Sequence, residues 1–340
     1  MTRNGILAGG NFIIDHVKMI DAYPAQDMLA TITSETSSNG GGPYNVLKDL
    51  AAMKAGFPLA AAGLVGRDPN GDWILRDCTA AGIDTRQLQQ TSEAPTSYTD
   101  AMTVASTGRR TFFHQRGANA LLGEAHFDFR TTSARLFHLG YLMLLDEMDR
   151  MLPDGRTIAS RVLEAAQSSG LKTSVDIVST ENPHFREIAT AALPFTDCLI
   201  INEIEAGKST GMNLRDGNQV NVEACIESAR LLLDRGVKSE VVIHFVEGAI
   251  VASHDGTVTT QGSLELPPGF IAGATGAGDA FAAGYLLGLH EGWSIADRLQ
   301  LAVCSAAQCM THPTPSLGLQ PVNDCLALGN QFPFRLLGCG

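Results

Sequence analysis

Gly273-Ala274-Thr275-Gly276-Ala277-Gly278-Asp279-Ala280-Phe281-Ala282-Ala283-Gly284 leads into an apolar segment that runs to His290. Glycines at 276 and 278 leave backbone N–H groups free to point at one spot. The start of the helix predicted from Gly278 to His290 adds its own unpaired donors and the positive end of its dipole, which makes an anion site. Asp279 then puts a carboxylate in the first turn, beside the place an anion would occupy. Holding phosphate alone is poorly served by that carboxylate, because the charges repel. It makes sense if Asp279 takes a proton from a hydroxyl that attacks phosphorus. The same residue argues against a dinucleotide-binding turn, which belongs near a first strand and avoids a carboxylate against the pyrophosphate. The plainer alternative is a helix capped by Asp, with glycine for packing.

Outward from this stretch the chain alternates. Apolar runs that read as strands (Gly5–Ala8, Leu59–Val65, Leu136–Gly140, Thr173–Ile177, Asp197–Asn202, Glu240–Phe245, Ala249–Ala252) are separated by helix-period segments. Those segments are Tyr44–Ala55, Trp73–Ala81, Gly155–Ser168, Val222–Arg235, Gly278–His290 and Ser294–Met310. Alternation of this kind predicts a parallel sheet covered on both faces, with ligands beyond the carboxyl ends of its strands. Two segments break the rhythm: Phe12–Thr36, and Ser97–Arg116 with extended runs Tyr98–Ala105 and Thr111–Gln115 around Ser106-Thr107-Gly108. Together they read as a small antiparallel flap on the α/β body. The segment after His312 carries four prolines and predicts little.

Two further motifs offer polar groups at strand ends. Gly40-Gly41-Gly42-Pro43-Tyr44-Asn45 opens an amphipathic helix, so a small ligand can approach the backbone while Asn45 supplies a donor and an acceptor. Asp15 follows the first strand; an Asp and an Asn suit recognition of neighbouring hydroxyls. Asn202 and Glu205 lie one helical turn apart after another strand and could hold a hydrated magnesium ion, or could be an Asn cap with a surface Glu. Gly207-Lys208-Ser209 imitates the end of a phosphate-binding P-loop, but Asn202 stands where that loop needs its first glycine.

The 340 residues carry 24 Lys+Arg and 36 Asp+Glu, a net charge of −12, with 44% hydrophobic and 18% charged residues. This composition excludes a disordered chain and argues against nucleic acid or an anionic membrane as partner. Seven scattered cysteines without a CxxC pair read as reduced core thiols, and the histidines form no HExxH or His/Cys cluster. The N-terminus has no run long enough for a signal peptide and no stretch approaches 18 apolar residues, so a cytoplasmic protein is expected.

The three signals in this order, with a flap between, resemble the ribokinase-like (PfkB) carbohydrate kinases. Thr275-Gly276-Ala277-Gly278-Asp279-Ala280-Phe281 matches that family's C-terminal signature, Gly40-Gly41 with Asn45 its N-terminal one, and Asn202 with Glu205 its Asn-x-x-Glu motif. Gly82-Ile83-Asp84-Thr85 and Gly117-Ala118-Asn119 are also typical, and the likeness spans roughly residues 5–320. The resemblance implies an α/β, ribokinase-like fold: a mostly parallel central sheet with helices on both faces, plus a small β-sheet lid. The kinase domain would span 1–330, with the lid from about 12–37 and 97–117 and a tail at 331–340.

It further implies ATP-dependent transfer of the γ-phosphoryl group to a hydroxymethyl of a sugar or sugar derivative. By match of position Asp279 is the general base, and the N–H groups of Gly276, Ala277 and Gly278 form the anion hole. Thr275 joins them on the nucleotide side, and Asn202 and Glu205 support Mg2+ and phosphate. Asp15, Gly41 and Asn45 hold the sugar, with Asn119 a further substrate contact and Arg116 the candidate partner for an anionic sugar. Arg109 and Arg110, at the flap turn, are weaker candidates for that role. The lid closes to exclude water and can pair into a homodimer. Two departures stand out. Gly273 replaces the Asp that opens the signature in many members, which removes a carboxylate from the family's monovalent-cation site. Ile243-His244-Phe245-Val246-Glu247-Gly248 replaces a Thr-Leu-Gly-like turn near the nucleotide. The competing readings are a nucleoside kinase of the same fold and a sugar-binding regulatory protein without catalysis; Asp279 beside an intact glycine loop speaks against the second.

Overall fold

Strands buried on both faces must be apolar at every position, and the middle of the molecule is built this way: Leu199, Ile200 and Ile201 are all within 1% of complete burial. In the computed structural model, which describes residues 3–337, the described residues form a nine-stranded sheet. Its order is Val258–Gly262, Gly248–Ser253, Glu240–Phe245, Cys198–Asn202, Lys172–Ile177, Leu136–Leu142, Ile6–Gly10, Leu59–Gly66 and Asp84–Thr91. The strands from Glu240–Phe245 to Asp84–Thr91 pair in parallel, and the two at the other edge run antiparallel. Alternate residues feed separate cores on the two faces. Leu7, Leu199 and Val241 pack into one, while Ile6, Ala8, Ile200 and Val242 pack into the other.

The expected strands and helices are present, with ends that the caps explain. Thr157 caps Ile158–Ser168 by accepting from the Ser160 N–H, and Asp68 caps Pro69–Ala80 by accepting from the Gly71 N–H. The strands Asp84–Thr91 and Val258–Gly262 and the helices Phe185–Ala192, Glu203–Thr210 and Val322–Gln331 lie outside the expected elements. The segment after His312 is not featureless: it packs this last helix, and Phe334 bridges Leu264 at the sheet's edge.

A second sheet of four strands stands apart, in the order Ile32–Gly40, Ile13–Ile20, Tyr98–Val104, Arg110–Gln115. It corrects the expected antiparallel flap. Ile13–Ile20 pairs in parallel with Tyr98–Val104, from Ile14 opposite Tyr98 to Ile20 opposite Val104, and only the two outer pairings are antiparallel. The reason is topological: one hairpin leaves the body after Ile6–Gly10 and the other after Asp84–Thr91, two parallel strands of the main sheet, and they join side by side in the same direction. Cys78, Cys198, Cys225, Cys304, Cys309 and Cys325 are buried free thiols; Cys339 lies outside the described residues. No helix among the described residues is long and apolar enough to cross a membrane.

Candidate active site

The carboxyl ends of the parallel strands deliver polar side chains to one end of the sheet: Tyr141, Asp176, Asn202 and His244, with Asp15 just beyond Ile6–Gly10. Gly276, in the left-handed region at φ 82°, turns the chain into the Ala277–Glu291 helix and sets Asp279 in its first turn. The Ala277 N–H turns back toward the Ala274 carbonyl at 3.4 Å, and Ala280 donates to the Gly276 carbonyl at 2.9 Å. Among the described residues the N–H groups of Gly276 and Gly278 have no backbone acceptor outside the helix. They are therefore free for an anion.

Asp279 is 4% exposed, and two donors bracket its carboxylate. Asn45 Nδ2 donates to Oδ2 at 2.7 Å, and the Tyr141 hydroxyl donates to Oδ1. Burial raises the Asp279 pKa to about 6, against the pull of these two hydrogen bonds. Asp15 is raised to about 7 by burial and by the nearby Asp279 charge. Asn45 keeps its Oδ1 buried and without a donor, and so does Asn11 its Nδ2 group without an acceptor. Unpaired buried amides beside a carboxylate are groups prepared for a hydroxyl-bearing ligand. Gly41, at φ 101°, carries the chain past Asn11 into the Gly42–Ala52 helix, and Asn11 Oδ1 accepts from the Gly42 N–H at 3.3 Å.

Asn202 and Glu205 form a capping box. Asn202 Oδ1 accepts from the N–H groups of Ile204 and Glu205 at 2.9 Å each, and Glu205 accepts from the Asn202 N–H at 2.8 Å and its Nδ2 at 2.7 Å. The Asn cap expected as one alternative is present, but its Glu is not at the surface: Glu205 is buried. Burial raises Glu205 to about 7, and Asp176, on the neighbouring strand, is held well above the carboxylate range by burial and by the charges of Glu205 and Asp279. Asp176 and Tyr141 were not expected. Their only signal in the sequence is a polar or aromatic residue near the end of an apolar run, Thr173-Ser174-Val175-Asp176-Ile177 and Leu139-Gly140-Tyr141-Leu142.

The other expected residues have these partners. Asn119 is fully buried and spends its amide on the Phe12 backbone, donating to the carbonyl at 3.2 Å and accepting from the N–H at 3.4 Å. Arg116 is paired with Asp146 at 3.1 Å and donates to the Met143 carbonyl. Arg110, at the tip of the small sheet, donates to the Thr275 hydroxyl, so the small sheet touches the glycine loop. Lys208 of the false P-loop lies in a helix and bonds the Thr180 carbonyl and Glu181.

On the far side of the Asp279 helix lies a mainly apolar cavity of about 350 Å³, lined by Phe281, Val303, Ala307 and Met310, with Gly278 and His244 at its polar end. Arg335, from the C-terminal segment, also lines it. His244 packs tilted against Phe281 with ring centroids 4.9 Å apart, and burial lowers its pKa to about 4, so the ring is neutral at physiological pH. A polar cavity of about 500 Å³ lies at the opposite end of the sheet, around Ile6, Leu59 and Asp84, away from all these groups.

The family model of pfkB family carbohydrate kinases matches residues 9–321. Adenosine kinase of Saccharomyces cerevisiae is 25% identical over 282 residues, 82% of this chain and 79% of that enzyme. Ribokinase of Arabidopsis thaliana is 25% identical over 283 residues, 82% of this chain and 69% of that one. Among solved structures, the A. thaliana ribokinase complexed with ribose and ATP superposes with a TM-score of 0.78 at 21% identity, covering 96% of this chain and 98% of that one. A putative ribokinase II from E. coli in complex with ATP and Mg2+ gives 0.75 at 17% identity, covering 96% and 99%. At such identities the structures speak for the fold, which is that of ribokinase. The chain belongs to the pfkB family of carbohydrate kinases. It is a phosphotransferase, an ATP-dependent kinase of a sugar or nucleoside.

Proposed function

We propose that the protein transfers the γ-phosphoryl group of ATP to a hydroxymethyl group of a neutral sugar or nucleoside, with Asp279 as general base. The observation that carries this reading is a buried carboxylate, bracketed by Asn45 and Tyr141, in the first turn of a helix whose entry loop leaves the Gly276 and Gly278 N–H groups free. The acceptor oxygen attacks the γ-phosphorus, its proton passes to Asp279, and the bond to the β,γ-bridging oxygen breaks to release ADP. A pKa of about 6 leaves Asp279 ionised at neutral pH and close enough to it to accept a proton. The free N–H groups of Gly276 and Gly278, with Thr275 beside them, would receive the charge that builds on the phosphate oxygens. The apolar cavity beyond Gly278 would take the base of the nucleotide.

Asp15, Asn45 and the Gly41 backbone would hold the acceptor's hydroxyls. Arg116, already paired with Asp146, favours a neutral acceptor over a sugar acid or phosphate. Among the described residues no three His, Cys, Asp or Glu side chains stand close enough to chelate a bare ion. Asp176 and Glu205 still fit magnesium, which takes few protein oxygens and keeps its waters. Glu205 and Asp176 would hold it through water, and Asn202 would orient Glu205. Magnesium, when bound, neutralises phosphate charge during transfer. The small sheet would act as a lid, with Arg110 on Thr275 marking its closed edge, and would offer its outer strands to a second copy.

A panel of sugars and nucleosides assayed for ADP release identifies the acceptor. With it, Asp279→Asn is expected to lower kcat by roughly 10²–10⁴ while ADP still binds; near-normal turnover in that variant overturns the reading.

A further inference from the structure

We propose that Tyr141 is a positioning residue for the phosphoryl-transfer base, its hydroxyl fixing Oδ1 of Asp279 so that the carboxylate faces the acceptor. The inference rests on the reading of Asp279 as the base. An Asp in the first turn of a helix can turn about two side-chain bonds, and nothing in its own helix selects one orientation. Here the two oxygens are divided between two donors from different parts of the fold: Asn45, from the Gly42–Ala52 helix, on Oδ2, and Tyr141, from the Leu136–Leu142 strand, on Oδ1. Each oxygen keeps one lone pair for the incoming hydroxyl.

The tyrosine ring is itself held in place. A Cβ at Gly42 would lie 2.9–3.1 Å from three of its ring carbons, so the absence of a side chain at 42 makes the space the ring occupies. The first helix therefore contributes both Asn45 and the seat of Tyr141 to the same carboxylate.

Tyr141 is suited to donate and not to titrate. Burial and the charges of Asp279, Asp176 and Glu205 hold its phenol well above its ordinary range, so it stays protonated wherever the enzyme works. The other groups that face the pair are Asp15, Asp49 and the Cys309 thiol, whose shifts all register the Asp279 charge, with neutral His244 beside Gly278. None supplies a positive charge to Asp279. The two hydrogen bonds are what oppose burial and keep the base ionised.

The test uses the full chain with ATP, magnesium and the best acceptor of the panel. Tyr141→Phe removes one oxygen and keeps the ring. Losing a hydrogen bond to a charged group is expected to move the acid limb of the kcat/KM profile upward by about one to two pH units. Turnover on the plateau should fall by about tenfold, with the KM for ATP unchanged. Gly42→Ala, which displaces the ring, should move the acid limb the same way, and the double variant should be no worse than the more damaged single one. Plateau turnover and acid limb both unmoved in Tyr141→Phe and in Gly42→Ala, with Asp279→Asn inactive, would overturn the role of Tyr141 and leave the base standing. Near-normal turnover in Asp279→Asn would overturn both.

Discussion

Asn45 and Asp279, 234 positions apart in the chain, meet through a 2.7 Å hydrogen bond. The bond joins the starts of two helices, one opened by Gly40-Gly41-Gly42 and the other by Gly276-Ala277-Gly278, so each glycine run delivers one member of the pair.

Asn45→Ala should affect both halves of the reaction's acceptor side. It removes a donor to the base and the unpaired Oδ1 that faces a ligand. Losses of about 1–3 kcal/mol are expected, which is roughly a 5- to 150-fold drop in kcat/KM for the acceptor. The KM for ATP should change by less than about twofold. Steady-state kinetics with each substrate varied in turn checks this; a loss confined to ATP would reverse the assignment of the two sides.

Stability of the ligand-free protein should fall as pH rises. Asp279 titrates at about 6 and Asp15 and Glu205 at about 7 when folded, all above their ordinary values. The folded state therefore binds these protons more tightly than the unfolded chain, and its advantage, complete below about pH 4, is lost as pH climbs through the folded values of 6–7. Calorimetry at fixed ionic strength should give a lower Tm at pH 8 than at pH 5. Asp15→Asn should reduce that drop by about 2 °C. A Tm that rises between those two pH values would refute the linkage.

Potassium should matter little. Gly273 packs against Pro313 so closely that a Cβ there would lie 2.8 Å from its Cα, which leaves no room for the carboxylate of the resembling sequences. Turnover in potassium and in a bulky organic cation, at matched ionic strength, should differ by less than about threefold, under 1 kcal/mol. Saturable activation by potassium but not by sodium would contradict this.

The small sheet should mediate pairing of two copies. Its outer strand carries Phe112 and Phe113, 62% and 51% exposed, and Ile32 on the opposite edge is 49% exposed. Light scattering after size exclusion should report a dimer at micromolar concentration. Phe112→Asp should weaken it by at least about tenfold, since a charge on an edge strand blocks edge pairing.

The body of the fold was legible in the sequence because buried parallel strands are apolar throughout, as in Cys198-Leu199-Ile200-Ile201, and short runs of this kind alternate with helix-period segments. Asp84–Thr91 was passed over because an edge strand needs little burial, and only Leu88 of its residues is buried. At the candidate site, the glycine loops and Asp279 are local patterns, readable in a short stretch of sequence. Tyr141 and Asp176 meet partners more than a hundred and about thirty positions away, respectively. Nothing in a single apolar run signals such a meeting. The same applies to Asn119, expected as a substrate contact from the family resemblance of Gly117-Ala118-Asn119, whose amide meets the Phe12 backbone 107 positions away.

Gly10, at φ 132°, separates the central strand Ile6–Gly10 from the small-sheet strand Ile13–Ile20, and Gly41, at φ 101°, separates the returning small-sheet strand from the first helix. Chain travels out to the small sheet and back through two joints that stand side by side, with Asn11 pinned between them to the Gly42 N–H. Any swing of the small sheet pivots on the atoms that would cradle the acceptor's hydroxyls. If the small sheet closes as a lid, seat and door share one axle: gripping the acceptor would bias the door, and stiffening either glycine should change turnover and acceptor affinity together.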